Sequence, residues 1–154
     1  MASEFEFDLA ILGAGPGGYV AAIRAAQLKL KTVIIERDKP GGVCLNWGCI
    51  PSKALTAQAE IFHARKGLEA LGCSVDMSGF NYERVYAASR KAADSLIKGV
   101  AFLLKKNNVT VVNGTGVFKS AHEIDVNNGE KTVSAKNIII ASGSRPRTIP
   151  GFEF

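Results

Sequence analysis

Gly13-Ala14-Gly15-Pro16-Gly17-Gly18 is the stretch that most restricts what this chain can fold into. An apolar run, Phe7 to Leu12, leads into it, and small and apolar residues at helical spacing follow from Tyr19 to Leu28. A second apolar run, Lys31 to Ile35, ends in Glu36. Strand, glycine turn, helix and strand form the context in which G-x-G-x-x-G carries physical meaning. Gly13 permits the tight turn, Gly15 lets a pyrophosphate approach the backbone, and Gly18 allows helix and strand to pack closely. The free N–H groups and positive end of the helix then favour a diphosphate. Glu36, about 20 residues beyond the turn, suits both hydroxyls of a ribose and would repel a 2′-phosphate. The pattern predicts dinucleotide binding, with an ordinary tight turn as the plainer alternative, and does not choose between FAD and NAD.

The second informative stretch is Gly41-Gly42-Val43-Cys44-Leu45-Asn46-Trp47-Gly48-Cys49-Ile50-Pro51-Ser52-Lys53. Residues five apart on a regular helix point about 140° away from each other, and a disulfide needs Cα atoms about 4.4–6.8 Å apart. A straight helix therefore cannot close Cys44 onto Cys49. Gly48 lets the backbone deform, and Pro51 lacks a donor that a helix interior would use. The segment suits two thiols that can meet at a turn. A labile, working disulfide and a static one both remain open on these residues. Two cysteines without a nearby histidine make a poor zinc site, since structural zinc takes four ligands, and no metal is expected.

Downstream, Ser52 to Leu71 has helical composition, with Ile61, Phe62, Leu68 and Leu71 as expected core contacts. Gly72 to Gly79 breaks it, and Cys73 reads as a small packed hydrophobe. Asn81 is suited to cap a long helix running to about Lys106. Tyr82, Val85, Tyr86, Ala93, Leu96, Ile97, Val100 and Leu104 lie along one face, and Lys98, Lys105 and Lys106 favour its C-terminal half. Val109–Val112 reads as a strand. Short strands follow at about 116–119, 123–126 and 132–134, with Asn127-Asn128-Gly129 as a hairpin turn. Asn137–Ala141 is continuous and apolar, as a central parallel strand should be. Its exit, Ser142-Gly143-Ser144-Arg145-Pro146, is the kind of turn that doubly wound sheets use for ligands.

With 154 residues, 47% hydrophobic and 21% charged, the chain suits one globular domain. A net charge of +5 is spread along the sequence without an aromatic-interleaved basic stripe, so nucleic acid is not an expected partner. No apolar run approaches the roughly 20 residues of a membrane span. The first residues have neither the basic start of a signal peptide nor the Arg/Ser richness of a transit peptide. The expected location is the cytoplasm, or the mitochondrial matrix if a leader has been removed. In a reducing compartment a working disulfide is favoured over a static one.

Three separated signatures are similar to those of the flavin-dependent disulfide oxidoreductases. They are Gly13–Gly18 with Glu36, the run Gly41 to Lys53, and Ala141-Ser142-Gly143-Ser144-Arg145-Pro146. Leu45 and the Ser52-Lys53 ending resemble the lipoamide branch more than the glutathione branch. Val43 and Ser142 stand where these enzymes often carry threonine.

The resemblance implies an α/β fold, a Rossmann-like parallel sheet with flanking helices and a small antiparallel meander over about 116–134. On this view residues 1–154 are the N-terminal segment of an FAD-binding domain, and the NAD and dimer-interface domains lie outside the chain. It implies FAD with its ADP half on Gly13, Gly15 and Gly18 and its ribose on Glu36. The loop from Arg37 through Gly42, Val43 and Leu45 would follow the cofactor. Cys44 would be the interchange thiol, Cys49 would lie against the flavin, and Lys53 would reach the ring. Gly116, Ser142, Gly143 and Ser144 would touch other parts of FAD. The implied reaction oxidises protein-bound dihydrolipoamide to lipoamide, with NAD as final acceptor.

Implied partners are the lipoyl domain of a 2-oxo acid dehydrogenase complex or of the glycine cleavage system, and a second copy in a homodimer. The histidine–glutamate pair of such enzymes comes from the absent interface domain, and His63 and His122 read as surface or packing residues. The chain alone is expected to lack sustained turnover. Alternatives are a glutathione or mercuric reductase of the same family, or a non-enzymatic FAD-binding fragment.

Overall fold

Continuous apolar strands need cover on both faces, and the computed structural model, which describes residues 4–145 and 147–152, supplies it. Strands β1 (Phe7–Leu12), β2 (Thr32–Glu36), β3 (Thr110–Asn113), β4 (Gly116–Phe118), β5 (Glu123–Val126) and β6 (Lys131–Ile140) form one sheet in the order β3-β2-β1-β6-β5-β4. The first four in that order run parallel, and β5 and β4 run antiparallel to their neighbours. The expected α/β architecture, a mostly parallel sheet with flanking helices and an antiparallel meander, is what is found. Pro146 and the terminal residues 1–3 and 153–154 lie outside the described residues.

Along β1 and β2 alternate residues serve opposite cores. Leu9, Ile11 and Ile34 pack with Ala22 and Ala25 of helix α1 (Pro16–Gln27) and with Val100 and Leu104 of helix α4 (Tyr82–Lys106). Ala10, Val33 and Ile35 face Val112, Ile124, Val126 and Val133, so the meander closes the other side. Each fully buried Val, Leu or Ile contributes about 1.5–3 kcal/mol, and Ile11, Ile34, Leu104 and Ile124 are completely enclosed.

β6 departs from expectation. Two strands were predicted over 132–134 and 137–141, whereas one ten-residue strand serves two roles. Its first half pairs antiparallel with β5 (Ser134 opposite Glu123), and its second half pairs parallel with β1 (Ala135 opposite Phe7). No glycine or proline interrupts 131–140, and Ala135 is fully buried beneath Phe7. Nothing in the chain forces a break there.

The long helices also correct the sequence reading. Helix α3 (Cys49–Ala70) buries only Pro51 completely. Ile61, Phe62, Leu68 and Leu71, expected in the core, are exposed, Leu71 at 81%. α3 packs on α4 rather than on the sheet; its Phe62 meets Phe80 edge-on, 5.1 Å between centroids. On α4, Ala93, Val100 and Leu104 are buried, but Tyr82, Tyr86 and Leu96 are exposed. Only the C-terminal half of α4 reaches the sheet core, because its Val100, Leu104 and Ile97 alone join that cluster. Asn81 caps α4 as expected, its Oδ1 accepting from Glu83 N at 2.7 Å. Cys73 is exposed and unpaired, not packed. Among the described residues no helix is long and apolar enough to cross a membrane.

Candidate functional site

From β1 the chain moves outward to β2 and β3, then returns to β6 on the other side of β1. The carboxyl ends of β1 and β6 therefore flank a topological switch point, where open α/β sheets leave a crevice. Gly13 ends β1 there with φ +103°, a conformation costly to any residue with a Cβ. A Cβ on Gly13 would strike the carbonyl of Ala141, and one on Gly18 would strike the carbonyl of Gly13. The turn is pinned further by Gly13 N donating to Ile35 O (2.8 Å) and Ala141 N donating to Leu12 O (2.8 Å). Gly15 caps α1 with Pro16 as the first helical residue, and the first turn carries neither an acidic side chain nor a side-chain cap. The positive end of α1 is thus left to an external acceptor.

Glu36 ends β2 beside this turn. Its Oε2 accepts from Ala14 N (2.7 Å) and its Oε1 from Asp38 N (2.9 Å), so the carboxylate braces the glycine turn as well as facing the crevice. Each oxygen keeps a further lone pair for a ligand.

The cysteine segment folds as two helices with a corner between them. The short helix α2 (Gly42–Asn46) ends at Trp47, Gly48 adopts φ −113°, ψ −99°, and α3 begins at Cys49. Val43 O accepts from both Trp47 N (2.9 Å) and Gly48 N (2.7 Å), which closes the corner. Cys44 and Cys49 are joined as a disulfide, their Cα atoms 4.6 Å apart. Pro51 falls in the first turn of α3, where its missing N–H has no intrahelical partner to lose, so it shapes the helix start without breaking it. Gly41 and Gly42 have φ +106° and +58°, and a Cβ on Gly42 would lie 2.7 Å from the Cα of Gly15. The two glycine turns are in contact across the crevice floor.

The crevice has two lobes of about 340 and 320 Å³ that share Gly13, Glu36, Arg37, Ser142, Gly143 and Ser144. One lobe continues over Gly114, Thr115, Gly116 and Arg145. The other continues over Gly15, Pro16, Gly42, Val43, Cys44, Asn46 and Trp47. Of the residues singled out from sequence, Gly18, Leu45, Cys49 and Lys53 do not line it. Gly18 is buried behind the turn, and Leu45 packs under Gly41. Lys53 is exposed on α3. Cys49 is exposed and reaches the crevice wall only through its bond to Cys44. His63 is exposed on α3, while His122 Nδ1 sits 3.2 and 3.1 Å from the carbonyls of Ala135 and Lys136 with its ring against Phe5. Neither histidine lines the crevice. Among the described residues no group of three His, Cys, Asp or Glu gathers to hold a metal.

Sequence reasoning missed Asn46, Trp47 and Arg90. Asn46 is buried, its Nδ2 donating to Gly42 O (2.9 Å) and Pro40 O (3.3 Å). Arg90 Nη1 donates to Asn46 O at 2.9 Å. Trp47, 64% exposed, stands at the crevice wall beside Cys44. Asn46 and Trp47 lie inside the quoted cysteine run, and an asparagine between two glycine turns was the available clue. Arg90 lies 44 residues away and carried no signal.

A glycine turn at a switch point with a disulfide in the same crevice wall defines a class, and comparison with known proteins gives it a name. The chain belongs to the pyridine nucleotide-disulphide oxidoreductase family, whose pattern matches residues 7–154. Within that family the relatives are more specific. The chain is 48% identical over 147 residues to the dihydrolipoyl dehydrogenase of Zymomonas mobilis, covering 94% of this chain and 32% of that protein. It is 50% identical over 149 residues to the dihydrolipoyl dehydrogenase of Mycobacterium tuberculosis, covering 94% and 32%. Against the enzyme of that name from Chlorobaculum tepidum it is 47% identical over 151 residues, covering 96% and 32%. The chain thus spans about a third of the length of the curated relatives it matches.

Proposed function

We propose that this chain is the N-terminal segment of the FAD-binding domain of an NAD-dependent dihydrolipoyl dehydrogenase. The observation that carries the reading is the Cys44–Cys49 disulfide in the wall of a crevice whose floor is the Gly13–Gly18 turn. The fit of a dinucleotide rests on the close approach of Gly15 and Gly42 and on the uncapped start of α1. Gly13, Gly15 and Gly18 would hold the diphosphate region, and Glu36 would hold a ribose. Arg37, Gly42, Val43 and Leu45 would follow the cofactor toward the disulfide. Gly116 and Ser142–Ser144 would close the opposite rim. Lys53, one turn beyond Cys49, would bring a cation to the flavin.

A thiolate of dihydrolipoamide attacks Sγ of Cys44; the Cys44–Cys49 bond breaks and Cys49 leaves as a thiolate. The second substrate thiolate then attacks the substrate sulfur of the mixed disulfide, which closes lipoamide and releases Cys44. Two electrons have passed to the cysteine pair. FAD, when bound, supplies an acceptor for that pair, which side chains cannot provide, and NAD is the final acceptor. The NAD site and the homodimer interface are assigned to the part of the relatives' length that this chain does not span. Partners are then a lipoyl domain of a 2-oxo acid dehydrogenase complex or the glycine cleavage system, in the cytoplasm or the mitochondrial matrix.

The test uses the full-length protein. Dihydrolipoamide with NAD should yield NADH, and Cys44→Ser or Cys49→Ser should lower kcat at least about a thousandfold while the protein stays folded. Turnover with glutathione disulfide or mercuric ion in place of the lipoyl substrate would overturn the assignment.

A further inference from the structure

We propose that Arg90 is a positioning residue for the Cys44–Cys49 pair: its guanidinium ties α4 to the end of α2 and keeps the corner between the cysteines in the shape that lets them pair. The inference rests on the redox reading above and adds a residue to it.

Asn46 is the last residue of α2, and a carbonyl at a helix end has no partner within its own helix. Arg90 Nη1 supplies one at 2.9 Å. Among the described residues it is the one side chain from outside 41–53 that hydrogen-bonds the backbone between the two cysteines. The Asn46 side chain folds the other way, onto Gly42 O and Pro40 O. Asn46 is therefore tied at both ends, its amide to the start of α2 and its carbonyl to α4. Trp47, Gly48 and Cys49 follow immediately, and Val43 O holds Trp47 N and Gly48 N from within the segment, so the Asn46 carbonyl is where the corner is tied from outside it.

The remaining donors of Arg90 argue against a purely stabilising role. Nε and Nη2 are buried without a hydrogen-bond partner among the described residues. Arg90 is half-buried, and covering two of its donors without partners costs free energy that an apolar stem would not incur. What an apolar side chain cannot do is donate to Asn46 O. Without that donor the corner samples more conformations, the two thiols meet less often, and the dithiol form gains relative to the disulfide.

The experiment compares full-length, cofactor-bound wild type with Arg90→Ala and Arg90→Lys in dithiothreitol redox buffers. Each reduction breaks the protein S–S bond and forms two S–H groups, while dithiothreitol gives up two electrons and two protons and closes to its cyclic disulfide. Differential alkylation and mass spectrometry of the peptide containing Cys44 and Cys49 read the equilibrium directly. Arg90→Ala should shift it toward the dithiol about tenfold, equivalent to about 30 mV for a two-electron couple. Arg90→Lys, which keeps one charged donor, should return it to within about threefold of wild type. An Arg90→Ala equilibrium within twofold of wild type would overturn the proposal, even with a lowered melting temperature, because Arg90 would then be structural only. A lysine variant as shifted as the alanine variant would overturn it too. If Arg90→Ala does not fold, Arg90→Met, which keeps the apolar stem, takes its place with the same expected shift. A wild-type pair that does not titrate as a two-electron couple would sink the redox reading and this proposal together, whereas a normal wild type with unmoved variants sinks this proposal alone.

Discussion

Two glycine turns meet across the crevice, and they are held by different means. The Gly13–Gly18 turn is crowded by main chain, since a Cβ at Gly13 or Gly18 would meet the carbonyl of Ala141 or of Gly13, and one carboxylate, that of Glu36, braces it at Ala14 N. The Gly41–Gly48 turn has main-chain bonds of its own, from Gly41 N to Ala14 O and from Trp47 N and Gly48 N to Val43 O, and adds two side chains, Asn46 folded back on Gly42 and Arg90 reaching in from α4. A turn fixed by backbone crowding tolerates almost no change at its contact points. Added side-chain hydrogen bonds, by contrast, can be removed one at a time. On the redox function proposed above, the second arrangement suits a segment that holds a bonded and an open cysteine pair in turn.

Substitutions can break or sharpen this contrast. The largest effect is expected from Gly18→Ala, where the new methyl would overlap the Gly13 carbonyl. A loss of about 3 kcal/mol or more is expected in urea unfolding of the full-length protein, since forced overpacking costs typically 1–3 and occasionally more. Loss below 1 kcal/mol would mean the first turn yields as readily as the second. Asn46→Ala comes next. It removes a buried amide that satisfies two carbonyls, and about 1–3 kcal/mol should be lost; disulfide closure should also weaken in the same alkylation assay, while dinucleotide affinity moves less. Gly42→Ala combines φ +58° with a contact of 2.7 Å to Gly15 Cα. About 1–2 kcal/mol is expected, together with a weaker dinucleotide complex by equilibrium titration, because the two turns would be pushed apart. Gly17→Ala is the control. Nothing lies within 4 Å of a Cβ there, so stability should stay level or rise by up to about 1 kcal/mol. A large loss at Gly17 would remove the distinction between crowded and open glycines on which the comparison depends.

Much of this was readable from the chain because it depends on local backbone geometry. A glycine at φ +103° and a carbonyl pressed against Gly18 are demands that only particular residues meet, so they leave a mark in sequence. The same holds for Asn127, Asn128 and Gly129, all three at positive φ. What could not be read depends on partners remote in sequence. The apolar residues of α3 advertise a face without saying what covers it, and Ile61, Leu68 and Leu71 proved exposed. β6 was read as two strands, and that it is one strand pairing with β5 along its first half and β1 along its second is a fact of topology rather than composition. Arg90 belongs to the same category, since an arginine on a helix gives no sign of a carbonyl 44 residues away.

The single strand β6 has a consequence for registry. One end carries the β4–β5 meander and the other delivers Ala141 and Ser142 to the crevice rim, with no hinge between them. One unbroken ladder therefore sets the outer hairpin and the crevice rim in a single register, so an insertion or deletion within 131–140 would shift one against the other.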